Sequence, residues 1–167
     1  MSDYHRTTRE CAVSELRPEL RQAIERYFQE HELGDLASET LACCETTAKK
    51  KNTPRLLAWL QGELDTTVHT AMLLTPQWLI WVRSGDRSGI GLTAAQLTMI
   101  QVKPYRSFLT GDTGIELAGY VGDSAKRMRG LIGTGDDPAA QKFCEAVQQE
   151  IARVKPPRKG LFSGLGG

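Results

Sequence analysis

Three short apolar runs separated by turn-forming residues constrain the fold of this chain most strongly. They lie within residues 70–96, and the connections at residues 75–77 and 85–89 contain Pro, Gly, Asp and Ser. Runs this short, rich in β-branched and aromatic side chains and bounded by turn formers, favour strands over helices. The segment therefore predicts a meander of three antiparallel strands, around which the other elements are arranged.

Apolar periodicity predicts one helix on each side of this strand-rich region. Residues 18–31 carry an apolar stripe at helical spacing, and Pro18 suits a first helical turn. Near the C-terminus, Asp137 and Pro138 suit an N-cap and a first helical position, and a second stripe continues to Val154. We expect both helices to be amphipathic and to pack on the strands.

The remaining short segments bring the expected total to about seven strands. Residues 1–13 have no apolar period, and we expect them to be frayed. Consecutive strands with short connections pair antiparallel. The expected fold is therefore α+β, mainly β: a small barrel or two-sheet sandwich with an extra N-terminal helix and a capping C-terminal helix. The predicted strands are residues 39–50, 66–74, 78–84, 89–95, 97–103, 114–121 and 126–133.

Composition and charge exclude several classes of protein. With 21 basic and 20 acidic residues the formal charge is +1, so no global attraction toward nucleic acid is expected. No stretch approaches the roughly 20 apolar residues of a membrane span, and the N-terminus lacks the apolar run of a signal peptide. We therefore expect a cytoplasmic protein.

The four cysteines do not form a recognisable pattern. They are unevenly spaced, and Cys43 and Cys44 would point to opposite faces of one strand. Reduced thiols are therefore expected. The histidines share no metal-ligand spacing with the cysteines, and no Cys-x-x-Cys pair is present, so we expect no metal and no cofactor. The histidines are His5, His31 and His69.

Acidic residues and glycines likewise predict structure and not catalysis. The aspartates at 86, 112, 136 and 137 fall in turns or at a helix cap, where carboxylates accept hydrogen bonds from backbone N–H groups. The glycines at 85, 89 and 91 do not open a helix, so they lack the geometry of a phosphate-binding loop. These patterns favour a protein that is not an enzyme.

The hairpin at residues 72–82, MLLTPQWLIWV, resembles the hairpin of the pleckstrin-homology-like superfold, especially its bacterial and GRAM-like branches. The order of elements over residues 38–154 is similar to that of these domains, while the helix at residues 18–31 lies outside the pattern. The resemblance implies a non-enzymatic binding module. On this basis residues 1–35 are a tail and helix, residues 36–155 the domain, and residues 156–167 a flexible Gly-rich tail.

The resemblance also implies a binding loop after the first strand of the domain. Lipid-binding members carry basic residues there, and this loop supplies Lys49, Lys50, Lys51 and Arg55. Trp59 and its apolar neighbours could insert shallowly into a membrane beside these cations. The alternative is that the lysines are a solvated strand end and the apolar group covers one end of the barrel.

The C-terminal tail suggests further possibilities. It carries Leu161 and Phe162 and ends in Gly166 and Gly167, which is the form of the conjugatable terminus of ubiquitin-like modifiers. The alternative is a short linear motif that docks on a partner. We expect a binding or scaffold module that engages a protein partner. The alternatives are association with anionic lipids through residues 49–60, conjugation through the tail, and an unrecognised enzyme.

Overall fold

The fold is α+β and mainly β. A computed structural model describes residues 4–51 and 65–155. Over these residues eight antiparallel strands form two sheets. The strands are β1 (Tyr4–Glu10), β2 (Ala42–Lys50), β3 (Thr67–Leu74), β4 (Trp78–Gly85), β5 (Gly89–Gln96), β6 (Ile100–Arg106), β7 (Thr113–Gly119) and β8 (Met128–Gly133). The helices are α1 (Pro18–Glu30), α2 (Leu36–Glu39) and α3 (Pro138–Val154), with 3-10 turns at Val13–Glu15 and Leu97–Met99.

The first sheet has the order β1-β2-β3-β4-β5, and its last three strands are the meander predicted from the apolar runs. In this register Met72 lies opposite Trp81, which in turn lies opposite Thr93. The side chain of Thr75 accepts hydrogen bonds from the N–H groups of Gln77 and Trp78, over 3.3 and 2.9 Å. The sequence prediction for this central hairpin is therefore confirmed.

The prediction that the N-terminus is frayed is wrong over the part that the structure describes. Residues 4–10 form the edge strand β1, which pairs along its whole length with β2, from Tyr4 opposite Lys50 to Glu10 opposite Cys44. An edge strand can be polar because much of its surface faces water, so no apolar period marks it. Thr8 anchors the pairing, since its hydroxyl lies 2.7 Å from that of Thr46.

The second sheet has the order β6-β7-β8, and the predicted closure into a barrel is not seen. The 3-10 turn at residues 97–99 redirects the chain, so β6 begins at Ile100 and not at residue 97 as predicted. Strand β6 continues to Arg106, beyond the predicted end at residue 103. Helix α3 lies against β1, β2 and β6. The two-sheet alternative describes the molecule better.

The two long helices lie on opposite faces of the first sheet. Helix α1 buries Leu20, Ile24 and Phe28 in a cluster that includes Cys43. Helix α3 buries its apolar stripe in the other cluster, which includes Cys44 and residues from both sheets. The opposite orientation predicted for the two adjacent cysteines is thus confirmed. Among the described residues, no helix has the length and apolarity needed to cross a bilayer.

Candidate partner-binding surface

The second sheet has two edges, β6 and β8, and α3 covers the first of them. Gln148 Nε2 donates a hydrogen bond to the backbone carbonyl of Val102 over 3.2 Å. Lys155 Nζ donates to the carbonyl of Ile100 over 2.7 Å, and burial lowers the pKa of this ammonium group. Side chains of the helix therefore occupy two of the β6 carbonyls that another strand would use.

The edge at β8 has no further strand beside it within the described residues. It exposes two large apolar side chains, Met128 at 49% and Leu131 at 57%. Its C-terminal end is closely approached, because a Cβ added to Gly133 would lie 2.5 Å from Arg6 Nε. An exposed apolar edge of this kind is a template for pairing with another chain.

A groove of about 690 Å³ lies over the face of the second sheet that is turned away from the core. Lys103 and Glu116 are directly opposite each other in the register, and Arg129 lies diagonally across from Lys103. Glu116 pairs with Arg129 and, over 3.4 Å, with Lys103. The hydrogen bond from Arg129 lowers the pKa of Glu116, and Lys103 adds to this effect.

The groove carries an excess of positive charge. Its lining contains three cations, Lys103, Arg127 and Arg129, and one carboxylate, that of Glu116. Three positive charges against one negative charge leave an excess of two. Because Lys103 and Arg129 are mostly exposed, they keep hydrogen-bond donors directed to the solvent side of the groove. The surface is suited to an anionic segment with apolar residues that reach Met128.

A second recess separates β8 from the first sheet. It measures about 230 Å³, and its lining includes Arg6, Trp81 and Leu131. Trp81 is half-buried here, while Trp78 packs on the opposite face of the sheet beside α1, as their odd spacing predicts. The edge of β8 thus has space on both sides.

The connection between β6 and β7 exposes an apolar pair at its tip. Phe108 and Leu109 are 98% and 92% exposed. The loop around them is ordered by hydrogen bonds from Ser107 N to Asp112 O, 2.8 Å, and from Gly111 N to Ser107 O, 2.9 Å. An ion pair between Arg6 and Asp112 ties the loop to β1. The apolar pair is therefore displayed on a fixed loop.

The residues predicted for binding are only partly placed by the structure. Lys49 and Lys50 end β2, and Lys51 follows them; Lys49 and Lys51 are exposed. The backbone N–H of Lys50 donates a hydrogen bond to the carbonyl oxygen of Thr66 over 2.8 Å. The rest of the predicted set lies outside the described residues, namely Arg55, Trp59, Leu161, Phe162, Gly166 and Gly167.

Two of the aspartates predicted to accept hydrogen bonds from backbone N–H groups do so, and Asp112 pairs instead with Arg6. Asp86 accepts a hydrogen bond from Thr66 N over 2.8 Å. Asp137 is the N-cap of α3, but its side chain accepts from Thr8 N of β1, also over 2.8 Å, and not from its own helix. Within the described part of the chain, no group of three or more His, Cys, Asp or Glu residues could hold a metal ion.

Asp65 organises the turn between β4 and β5. Its carboxylate accepts hydrogen bonds from Ser88 Oγ, 2.6 Å, Arg87 N, 2.7 Å, and Ser88 N, 2.9 Å. These bonds, first those from Ser88, lower its pKa to about 2, and Arg83 contributes to the same effect from 3.5 Å. The carboxylate therefore holds the turn between β4 and β5 in place.

Sequence reasoning missed the β8 edge and the apolar loop tip. Phe108 was visible as an aromatic residue among turn formers, and this was the one available signal. Which edge of a sheet stays open depends on where α3 packs, and no local pattern contains that information.

Comparison with known proteins gives no relative. No protein-family model matches the chain, and neither does any curated protein or solved structure.

Proposed function

We propose that this chain is a non-enzymatic binding module with a pleckstrin-homology-like order of elements, and that it holds an extended acidic segment of a protein partner along β8. The observation that carries the proposal is the open, apolar edge of β8 beside a groove with excess positive charge. Strands β2 to β8 followed by α3 support the pleckstrin-homology-like order, although the sheets do not close.

The backbone of β8 supplies the first part of the interaction. A partner segment that adds a strand about 4.8 Å from β8 would pair with its outward N–H and C=O groups. Main-chain pairing of this kind gives affinity with little sequence preference. Space is present on both sides of the edge for the side chains of the added strand.

The side chains around β8 supply the selectivity. Alternate residues of an added strand point to opposite faces. Those over the groove would meet Lys103, Arg127 and Arg129, which favour carboxylates. Met128 and Leu131 offer apolar contacts at the edge itself. The preferred segment is therefore one in which acidic and apolar residues are interspersed.

Peripheral association with anionic membranes is the second candidate, and one observation favours it. Phe108 and Leu109 are exposed on a fixed loop, and exposed lysines lie at the end of β2. Exposed apolar side chains suit shallow insertion into a bilayer, and exposed cations favour an anionic surface. We rank it second because a flat bilayer would not fill the groove beside β8.

The test is a selection from a random peptide library on the full chain, followed by affinity measurement with the enriched peptides. We expect acidic and apolar peptides that bind wild type and lose about tenfold or more in affinity for Arg129→Glu and Leu131→Asp. Leu41→Asp is the matched control, because Leu41 is similarly exposed, at 52%, but precedes β2. If the enriched peptides bind all three variants as tightly as wild type, the proposed surface is contradicted.

Co-sedimentation with phosphatidylserine vesicles distinguishes membrane association from binding of a protein partner. Binding that falls with Phe108→Ser or Lys49→Glu but not with Arg129→Glu would favour the membrane over a protein partner. If wild type does not sediment with vesicles at low salt, membrane association is excluded, since low salt strengthens such binding.

A further inference from the structure

Two buried thiols face each other where the first two strands meet. Cys11 directly follows β1, and its Sγ lies 3.9 Å from Sγ of Cys43 in β2. The N–H of Cys11 donates to the carbonyl of Cys43 over 3.2 Å, which continues the pairing beyond Glu10 and Cys44. All four cysteines of the chain are free and buried.

The pairing of the two strands gives their backbones about the separation that a disulfide needs. Hydrogen-bonded neighbours on antiparallel strands have Cα atoms about 5.5 Å apart. This lies inside the range of about 4.4 to 6.8 Å that disulfides adopt. Side-chain rotation can therefore bring the two sulfurs of Cys11 and Cys43 from van der Waals contact to bonding distance.

The neighbouring cysteines do not compete for this pairing. Cys44 points to the opposite face of β2, where it belongs to the same cluster as Cys144, whereas Cys11 and Cys43 belong to the cluster under α1. The sheet thus separates the chain's thiols into two sets. Oxidation within the first set has only one partner available to each sulfur.

Either sulfur can donate the hydrogen bond that joins the two thiols, so either thiol can react first. The bond stabilises the thiolate of the sulfur that accepts it, and the thiolate is the reacting species.

We propose that Cys11 and Cys43 are a redox-active dithiol that low-molecular-weight disulfides, such as glutathione disulfide, convert to an intramolecular disulfide. The thiolate of one of the two cysteines attacks one sulfur of the oxidant and releases a glutathione thiolate. The other thiol then attacks the Sγ that carries the glutathione, its proton passes to solvent or to the departing thiolate, and a second glutathione leaves. Two electrons and two protons move from the protein to the oxidant.

The bond would fasten the edge strand and α1 to the sheet. Cys11 and Cys43 are 32 positions apart, and the segment between them contains α1 and α2. Closing a loop of this size removes conformational freedom from the unfolded chain. The oxidised protein should therefore unfold at a higher temperature, by roughly 5–10 °C.

The test uses the full native chain, equilibrated in buffers of increasing glutathione disulfide content and then alkylated. We expect a product that has lost two hydrogen atoms, retains two alkylatable thiols and yields a linked Cys11–Cys43 peptide. The unfolding midpoint should rise in this product and return after reduction. Cys43→Ser should stop at a glutathione adduct on Cys11, and Cys144→Ser should behave as wild type.

Three results would overturn the proposal. They are four free thiols in the most oxidising buffer, a linkage that involves Cys44 or Cys144, and a glutathione adduct of wild type that never resolves. The peptide map of the wild-type protein distinguishes all of them, so the test does not depend on the folding of any variant.

Discussion

Gln148 of α3 reaches across to β6 and donates a hydrogen bond to the backbone carbonyl of Val102, 3.2 Å from its Nε2. Lys155 does the same two residues earlier along the strand, at Ile100. The helix thus covers one edge of the second sheet with side chains and not with another strand. As a result the open edge of the second sheet is β8, along which we propose that a partner segment pairs.

Replacing Gln148 by Ala should weaken this cover. We expect the free energy of unfolding to fall by about 1 kcal/mol, because one partly buried hydrogen bond is lost. Gln149→Ala is the matched control, since the neighbouring side chain is exposed. Urea denaturation of the two variants measures the difference. Equal midpoints would mean that the Gln148 contact contributes nothing to the packing of α3.

The exposed aromatic residue at the tip of the β6–β7 loop should not contribute to stability. Phe108→Ser is expected to change the free energy of unfolding by less than about 0.5 kcal/mol, as for most exposed positions. Phe143→Ala should lower it by about 3–5 kcal/mol, because Phe143 is buried in the core under α3. Thermal and urea unfolding compare the two. A large loss with Phe108→Ser would show that the loop packs on the domain.

Asp65 should make stability depend on pH in the acid range. Its pKa of about 2 is lower than the usual value, so the folded state binds fewer protons than the unfolded state between about pH 4 and pH 2. The contribution of Asp65 is therefore present above about pH 4 and is lost as the pH falls toward 2. Asp65→Asn should lower the midpoint of thermal unfolding at pH 7. The midpoint of this variant should also fall less steeply than that of wild type as the pH decreases from 4 to 2.

The control for this pH effect is Asp123→Asn, at an exposed position. It should leave the midpoint at pH 7, and the fall of the midpoint between pH 4 and pH 2, close to those of wild type. If the midpoint of Asp65→Asn falls with pH as steeply as that of wild type, other carboxylates cause the loss of stability at low pH.

The elements that sequence reasoning found are those whose residues carry a local signal. The central hairpin has apolar runs bounded by turn formers, and α3 has an N-cap and a Pro at its start. Both signals depend on neighbours in the chain, and both elements lie close to where they were expected. Periodicity and capping are physical requirements of single elements, so they can be recognised without knowledge of the tertiary structure.

The elements that it missed depend on distant partners. Strand β1 is polar, and its ladder with β2 and the bond from Thr8 N to Asp137 connect residues far apart in sequence. The cover of the β6 edge by α3, which leaves β8 as the open edge of the second sheet, likewise connects residues far apart in sequence. Such features are set by tertiary packing, which overrides local preference.

Gly119 at the end of β7 provides the sharpest test of how the second sheet joins the first. Its φ is +148°, and an added Cβ would lie 2.2 Å from the carbonyl oxygen of Met99, a backbone atom that cannot move aside easily. We expect Gly119→Ala to lower the free energy of unfolding by about 1–3 kcal/mol or more, because strain and a steric clash combine.

Gly130→Ala, in β8, is the matched control, since a Cβ there meets nothing within 4 Å. It should be neutral or stabilising by about 0.5–1 kcal/mol, because Ala loses less conformational entropy than Gly in a strand. Urea denaturation would show a clear gap between the two variants. Equal stabilities would mean that β7 does not approach the turn at Met99 as closely as described.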